Sequence, residues 1–177
     1  MSILIPVYSK GITLNELPDH ISVYFEIANC KQRCKGCHSP WLQENAPKMS
    51  IEEIAQYAEQ QVDRGADAII LMGGTTNGIL ERDLKALITY LNNFAPVCLY
   101  SGSDDIEADL DLMEHSSLTW LKTGSYQEAK GGLDVDTTNQ RFYKQEFYPT
   151  FKSGEFAGYK QKLFDLTHIF FKQHEKS

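Results

Sequence analysis

Basic residues, proline and long apolar runs are all scarce in this 177-residue chain, and each scarcity excludes something. Lysine and arginine number 17 against 24 aspartates and glutamates, a formal charge of -7. No basic face is available to replace phosphate counterions, so no nucleic-acid partner is expected. No apolar stretch approaches the roughly 20 residues that span a bilayer, so no membrane partner is expected either. The opening MSILIPVYSK carries Pro6 and no apolar core behind a basic stretch, which is not a secretory signal. The expected location is the cytoplasm. Internal repeats and low-complexity segments are also missing, and cysteine is rare, with 4 in all.

What is present is ordinary for a globular protein: 42% hydrophobic and 23% charged residues. The length suits one domain over residues 1–177, with enough chain to bury a proper core.

The few cysteines are unevenly spent. Cys30, Cys34 and Cys37 fall within eight residues as C-x3-C-x2-C. A 4Fe–4S cluster is normally held by four thiolates. Three on one short loop leave one iron open, and an open iron can bind a small molecule and act on it. Two other uses compete with this one. A structural zinc site wants four ligands in a tetrahedron, with His38 or Cys98 the remaining candidates. His38 directly follows Cys37 and can hardly share its metal, and Cys98 lies in an apolar run that reads as core. Disulfides are disfavoured where thiols are kept reduced. The spacing resembles the cluster loop of the radical S-adenosylmethionine (SAM) enzymes.

Along the chain, 21–28 (ISVYFEIA) is β-branched and aromatic and reads as a strand feeding the cysteine loop. Ser50 and Glu53 form a capping-box pattern ahead of an amphipathic helix with Ile54, Ala58 and Val62 on one side and a stop at Gly65. The run 66–72 (ADAIILM) alternates little, as in a strand covered on both faces. A helix over 80–91, a strand over 96–100, a helix over 104–115 and a strand over 118–122 follow. Strand and helix thus alternate, which implies parallel strands with helical crossovers. A complete eight-fold barrel takes about 250 residues. The expected fold is therefore α/β, a partial, open-sided parallel (β/α) barrel of the radical SAM type. Beyond Gly124, residues 127–141 read as a surface loop and 163–171 as a final strand, while Phe147, Tyr148 and Pro149 have no clear place.

Ligand chemistry in such folds sits at the C-terminal strand edge. The cysteine loop, Gly73-Gly74, Ser101-Gly102 and Thr123-Gly124 all fall there. Gly73 and Gly74 would let the backbone approach the cofactor's ammonium, with Thr75 and Asn77 as oxygen acceptors. In radical SAM proteins the motif is often Gly-Gly-Glu; here Thr75 replaces the acid. Ser101 is a candidate for the carboxylate or ribose of SAM, and Lys122 for a carboxylate. The plain alternatives are turn residues and a solvated strand cap. His38 is a candidate for tuning the cluster, and Trp41 for shielding it from water.

The stretch CKQRCKGCHSPWL, with Gly36 before the third cysteine, is similar to the cluster loop of anaerobic ribonucleoside-triphosphate reductase activating proteins. Residues 121–143 (LKTGSYQEAKGGLDVDTTNQRFY), 99–102 and 163–171 also resemble that family. The resemblance implies a 4Fe–4S cluster on Cys30, Cys34 and Cys37, with SAM as second cofactor. It implies reductive cleavage of SAM and a glycyl radical placed on the large reductase subunit. The implied partners are that subunit and a flavodoxin- or ferredoxin-like electron donor. Alternatives are an activase for another glycyl-radical enzyme, such as pyruvate formate-lyase, or a non-catalytic zinc-binding interaction module.

Overall fold

A computed structural model describes residues 2–171. Its elements in chain order are β1 (Leu4–Thr13), β2 (Ser22–Ile27), β3 (Lys48–Ser50), α1 (Ile51–Val62), β4 (Ala68–Met72), α2 (Glu81–Leu91), β5 (Val97–Tyr100), α3 (Ile106–Glu114), β6 (Leu118–Thr123), β7 (Arg141–Lys152) and β8 (Glu155–Asp165). The strands form one eight-stranded sheet in the order β3-β1-β2-β4-β5-β6-β7-β8. Its centre, β2-β4-β5-β6, is parallel, as the strand–helix alternation demands. Antiparallel pairs extend both flanks. The sheet does not close: β3 and β8 are its edges, the open-sided partial barrel expected.

Strand β4 shows why a run can alternate so little. Ile69 and Leu71 enter the larger core with Leu84, Leu87, Ile88 and Leu91 of α2 and Ile54 and Ala58 of α1. Ala68 and Ile70 enter a smaller cluster on the other face with Leu17, Cys98, Trp120 and Phe142. Both faces are covered, so both sets of side chains are apolar. Each large side chain so buried contributes about 1.5–3 kcal/mol. The helix after β3 begins as its sequence pattern requires. The Ser50 hydroxyl accepts from the Glu53 N–H at 3.2 Å, and the Glu53 carboxylate accepts from the Ser50 N–H at 2.7 Å.

Two expectations change, and the unplaced residues 147–149 find their element. Residues 163–171 are not one strand: β8 ends at Asp165 and a 3-10 turn occupies Thr167–Phe170. The Asp165 carboxylate accepts from the N–H and hydroxyl of Thr167 at 3.0 and 2.5 Å, and that local capture bends the chain out of the ladder. Residues 147–149 lie inside β7, where Pro149 faces Tyr159 of the edge strand. The segment 127–141 is not simply a surface loop, because Thr138 and Gln140 are buried and Leu133 packs on the smaller core cluster. Its polar residues are satisfied internally: Gln140 donates to the Gly124 carbonyl at 3.1 Å and Thr138 to that of Gly131 at 3.2 Å.

Candidate active site

The C-terminal ends of the parallel strands surround a cavity of about 630 Å³. All three clustered cysteines line it, joined by Gly73, Asn77, Ser101, Gly102, Lys122 and Gly124 from the strand edges. His38 and Trp41 also stand on its wall, and Trp41 is 38% exposed. The parallel topology thus brings together side chains from the loops after β2, β4, β5 and β6, which are far apart in sequence.

The cysteine loop is held by its backbone. Asn29 donates to the Glu44 carbonyl at 3.0 Å, Cys30 to that of Leu42 at 2.8 Å, and Lys31 to that of Thr76 at 2.9 Å. Inside this frame the chain takes left-handed conformations at Asn29, Arg33 and Gly36. At Gly36 an added Cβ would also meet the Glu128 side chain at 3.1 Å, so glycine fits this turn for two reasons.

The sulfurs have partners of their own. Cys30 Sγ lies 3.6 Å from the Thr76 hydroxyl, and Cys37 Sγ accepts from the Ser39 N–H at 3.4 Å. Cys34 accepts from the backbone N–H of Tyr126. Its thiol is pushed up by burial and by the neighbouring Cys37 and Cys30, while the Tyr126 N–H pulls it down. Among the described residues no three His, Cys, Asp or Glu side chains converge on one ion position. The three sulfurs share one cavity wall instead, a donor set that fits a cubane whose thiolates each bind a different iron. Cys98 is fully buried with its thiol pushed well up, a core residue remote from such chemistry.

The turn after β4 divides its labour. Asn77 is buried, its oxygen accepting from the Gly74 N–H at 2.7 Å and its nitrogen donating to the carbonyls of Ile27 and Ala28 at 2.9 and 2.8 Å. That amide braces the site. Thr75 does not line the cavity; its hydroxyl meets that of Ser101 at 2.6 Å. Gly74 is also set back, with an added Cβ falling 2.9 Å from Leu84. Thr76, absent from the sequence-based expectations, faces the cavity beside Cys30.

Lys122 is half-buried at the end of β6, its ammonium 5.5 Å from the Tyr100 ring centre. Burial lowers its pKa, while Glu16 and then the thiols of Cys34 and Cys37 draw it back up. Burial raises the Glu16 carboxyl, Lys122 lowers it and Glu26 raises it further. The Tyr100 hydroxyl donates to the Glu16 carbonyl, which ties the segment carrying Glu16 to the end of β5.

Other residues join the loops. Asp104 accepts from the N–H and hydroxyl of Ser125 at 3.1 and 2.6 Å with one oxygen, and from Gln32 of the cysteine loop at 3.2 Å with the other. The His38 ring lies 4.6 Å from that of Tyr126, and Lys35 pairs with Glu128 at 3.6 Å. The segment after β6 therefore covers the cysteine loop. A tyrosine and a glutamate in a loop-like stretch gave no periodic signal of this contact. Only the pairing of distant segments reveals it.

The family model of the radical SAM superfamily matches residues 27–124, more than half of the chain and nearly the whole strand-edge frame of this cavity. A probable GTP 3′,8-cyclase of Methanocella arvoryzae is 24% identical over 123 residues, covering 60% of this chain. The chain spans 39% of that relative's length. No solved structure matches. Among the described residues no helix is long and apolar enough to cross a membrane.

Proposed function

This chain belongs to the radical SAM superfamily, and from that premise we propose that it cleaves SAM reductively to place a glycyl radical on the large anaerobic ribonucleotide reductase subunit. Superfamily members generally use a 4Fe–4S cluster with SAM. Cys30, Cys34 and Cys37 would hold the cluster here, as three donors on a cavity wall that the buried Cys98 does not line. When bound, the pair of cofactors supplies a carbon radical that abstracts hydrogen from carbon.

The chain's own residues supply binding and enclosure. Lys122 offers a cation to a carboxylate from the end of β6, and Thr76 offers oxygen beside Cys30. Trp41, Leu42 and Met72 give apolar wall against water, which protects reactive species. Electrons would come from a flavodoxin- or ferredoxin-like donor.

The observation that carries the activase reading is the charge of the cavity. Glu16, Glu26 and Asp134 line it against Arg33 and Lys122. A nucleoside triphosphate would need an excess of cations, which this lining does not offer. That contrast weighs against transferring the activity named for the cyclase relative. An unclosed sheet also leaves a side through which a protein loop can enter.

The test is anaerobic incubation of cluster-loaded, reduced protein with SAM and either the purified reductase subunit or GTP. A doublet electron paramagnetic resonance signal on the reductase, with 5′-deoxyadenosine formed, is the expected result. A cyclised nucleotide from GTP and no protein radical would retire the activase in favour of nucleotide chemistry.

A further inference from the structure

On one flank the sheet continues past the end of its helices. Strand β7 pairs with β6 only as far as Lys144, where Trp120 faces it. Beside this pair the Gln145 amide donates to the Leu118 carbonyl at 2.5 Å and to that of Met113 at 2.7 Å, at the foot of β6 and the end of α3. Beyond that clamp β7 and β8 pair with each other alone, out to Lys152 and Glu155. They form an arm that runs on for about 20 Å past the base of the sheet, away from the cavity.

One face of the arm is bare and aromatic. Residues paired across a ladder share a face, so Phe147, Pro149 and Phe151 lie with Gln161, Tyr159 and Phe156. Gln145 is on this face too and reaches α3, so it is the helix side of the sheet. Among the described residues no helix covers it below Glu114, where α3 ends. Phe147 is 49% exposed, Phe151 66%, Phe156 58% and Tyr159 69%. The Phe156 ring lies 5.3 Å from that of Tyr159 and 6.3 Å from that of Phe151. Four rings so exposed leave about 500 Å² of apolar surface. Two copies joined through them bury about 1,000 Å², the size at which specific interfaces begin. A two-stranded ribbon is marginal in water by itself, so this face gains most from cover.

The charges select the occupant. Lys152, at the tip of the arm, has no carboxylate partner among the described residues. The chain as a whole is acidic, at -7. Helix α3 ends on the exposed Glu114 with no basic residue in its last turn, and the adjacent His115 faces Asp111 at 3.2 Å. Its carboxylate and the negative end of its dipole are therefore unbalanced at the top of the bare face. We propose that this face is covered by the arm of a second copy of this chain. A two-fold axis lays aromatic face on aromatic face, and each arm fills the helix layer below the α3 of the other copy. Lys152 of one copy then meets Glu114 of the other. The same surface supplies both halves, so the assembly closes as a dimer. Lys160 and Lys162 lie on the opposite face with Tyr148 and Glu146 and oppose stacking of further copies there. Both cavities remain open at the far ends, so the dimer goes beyond the reaction proposed above and does not depend on it.

The test is sedimentation velocity of the cluster-loaded full chain under anaerobic conditions. A species of about 40 kDa is expected, twice the 20.1 kDa chain. Tyr159→Lys puts a charge on the exposed aromatic face without touching the core and should return the mass to 20.1 kDa. Phe151→Lys should do the same even if Tyr159→Lys does not fold. Lys152→Glu should weaken dimerisation about tenfold, and adding Glu114→Lys should restore it to within about threefold. A mass of 20.1 kDa at every concentration, or a dimer that survives both aromatic variants, would overturn the proposal. So would an unchanged affinity in Lys152→Glu, or a loss there that Glu114→Lys fails to repair. A chain that stays monomeric alone and gains mass only with the purified reductase subunit would overturn it too, and assign the arm to that partner.

Discussion

Asn77 donates from its side-chain amide to the carbonyl of Ile27 at 2.9 Å, tying the turn after β4 to the last residue of β2. The same nitrogen reaches Ala28, and the amide oxygen holds the Gly74 N–H. The strand that delivers the cysteine loop and the turn that faces it are therefore set by one buried amide. Asn77→Ala should cost about 2–4 kcal/mol, since three buried backbone groups lose their partner. Asn77→Asp should cost more, because a carboxylate would face two carbonyls with no proton to offer. Thermal unfolding of both variants tests the order, and an Asn77→Asp protein as stable as Asn77→Ala would contradict it.

The four cysteines should separate cleanly. Cys30→Ala, Cys34→Ala and Cys37→Ala each remove one donor from the cavity wall and should abolish SAM cleavage and the reduced-cluster resonance signal. Cys98 lies among Ile70, Trp120 and Phe142, so Cys98→Ala should cost about 1 kcal/mol of stability and leave iron and sulfide contents unchanged. Loss of the cluster in Cys98→Ala would show that a fourth thiolate closes the site and that no iron is open.

The parallel centre of the sheet was legible because its signals are local. Ser50 and Glu53 cap α1 within one turn, and the apolar run over β4 reports burial on both faces. The flanks were not. Strand β1 alternates exposed and half-buried residues over its outer half, with buried residues only at Ile5, Pro6 and Val7, and Pro6 hid it among features of a chain start. Strands β7 and β8 are stabilised mainly by each other, and much of their length carries exposed aromatics with no pattern of burial. In the site, the cysteines and glycines were legible as spacing. The buried carboxylate of Asp109, behind the strand edge, was not: it is one of the acids crowding the start of α3, where the helix dipole accounts for them. Only the fold shows that it points to Thr123 rather than to water. Thr75 and Thr76 are neighbours of one type, and no sequence rule says which one turns toward Cys30.

Two glycines of the β4 turn should differ sharply when given a side chain. Gly74 has φ +142°, and a Cβ there would fall 2.9 Å from Leu84, which is buried in the main core. Gly78 has φ +73° with open space around it. Gly78→Ala should cost about 1 kcal/mol from backbone strain alone. Gly74→Ala adds overpacking and should cost about 2–4 kcal/mol, with weaker SAM binding as the turn shifts. Denaturant midpoints of the pair check this, and equal costs would mean that Leu84 moves aside freely.

Lys122 should trade stability for function. Its folded pKa is lowered chiefly by burial, against partial support from Glu16 and the nearby thiols. Between that lowered value and the ordinary 10.5, the unfolded chain binds more protons than the folded one, so stability rises with pH across this window. Below the window the charged lysine carries its full burial cost. Lys122→Met keeps the length of the side chain and removes that cost. Without its cluster, the variant should therefore melt higher than the unaltered chain near neutral pH, with the advantage shrinking as pH approaches 10.5. Loss of the lysine also leaves Glu16 beside Glu26 with no cation, which drives its carboxyl further up and offsets part of the gain. SAM binding should fall in the same variant, because the cavity would lose the cation offered to the cofactor's carboxylate. Melting curves between pH 7 and 10.5 decide the matter: a Lys122→Met chain less stable at every pH would show that the Glu16 pairing outweighs burial. A variant that still bound SAM normally would remove Lys122 from the site.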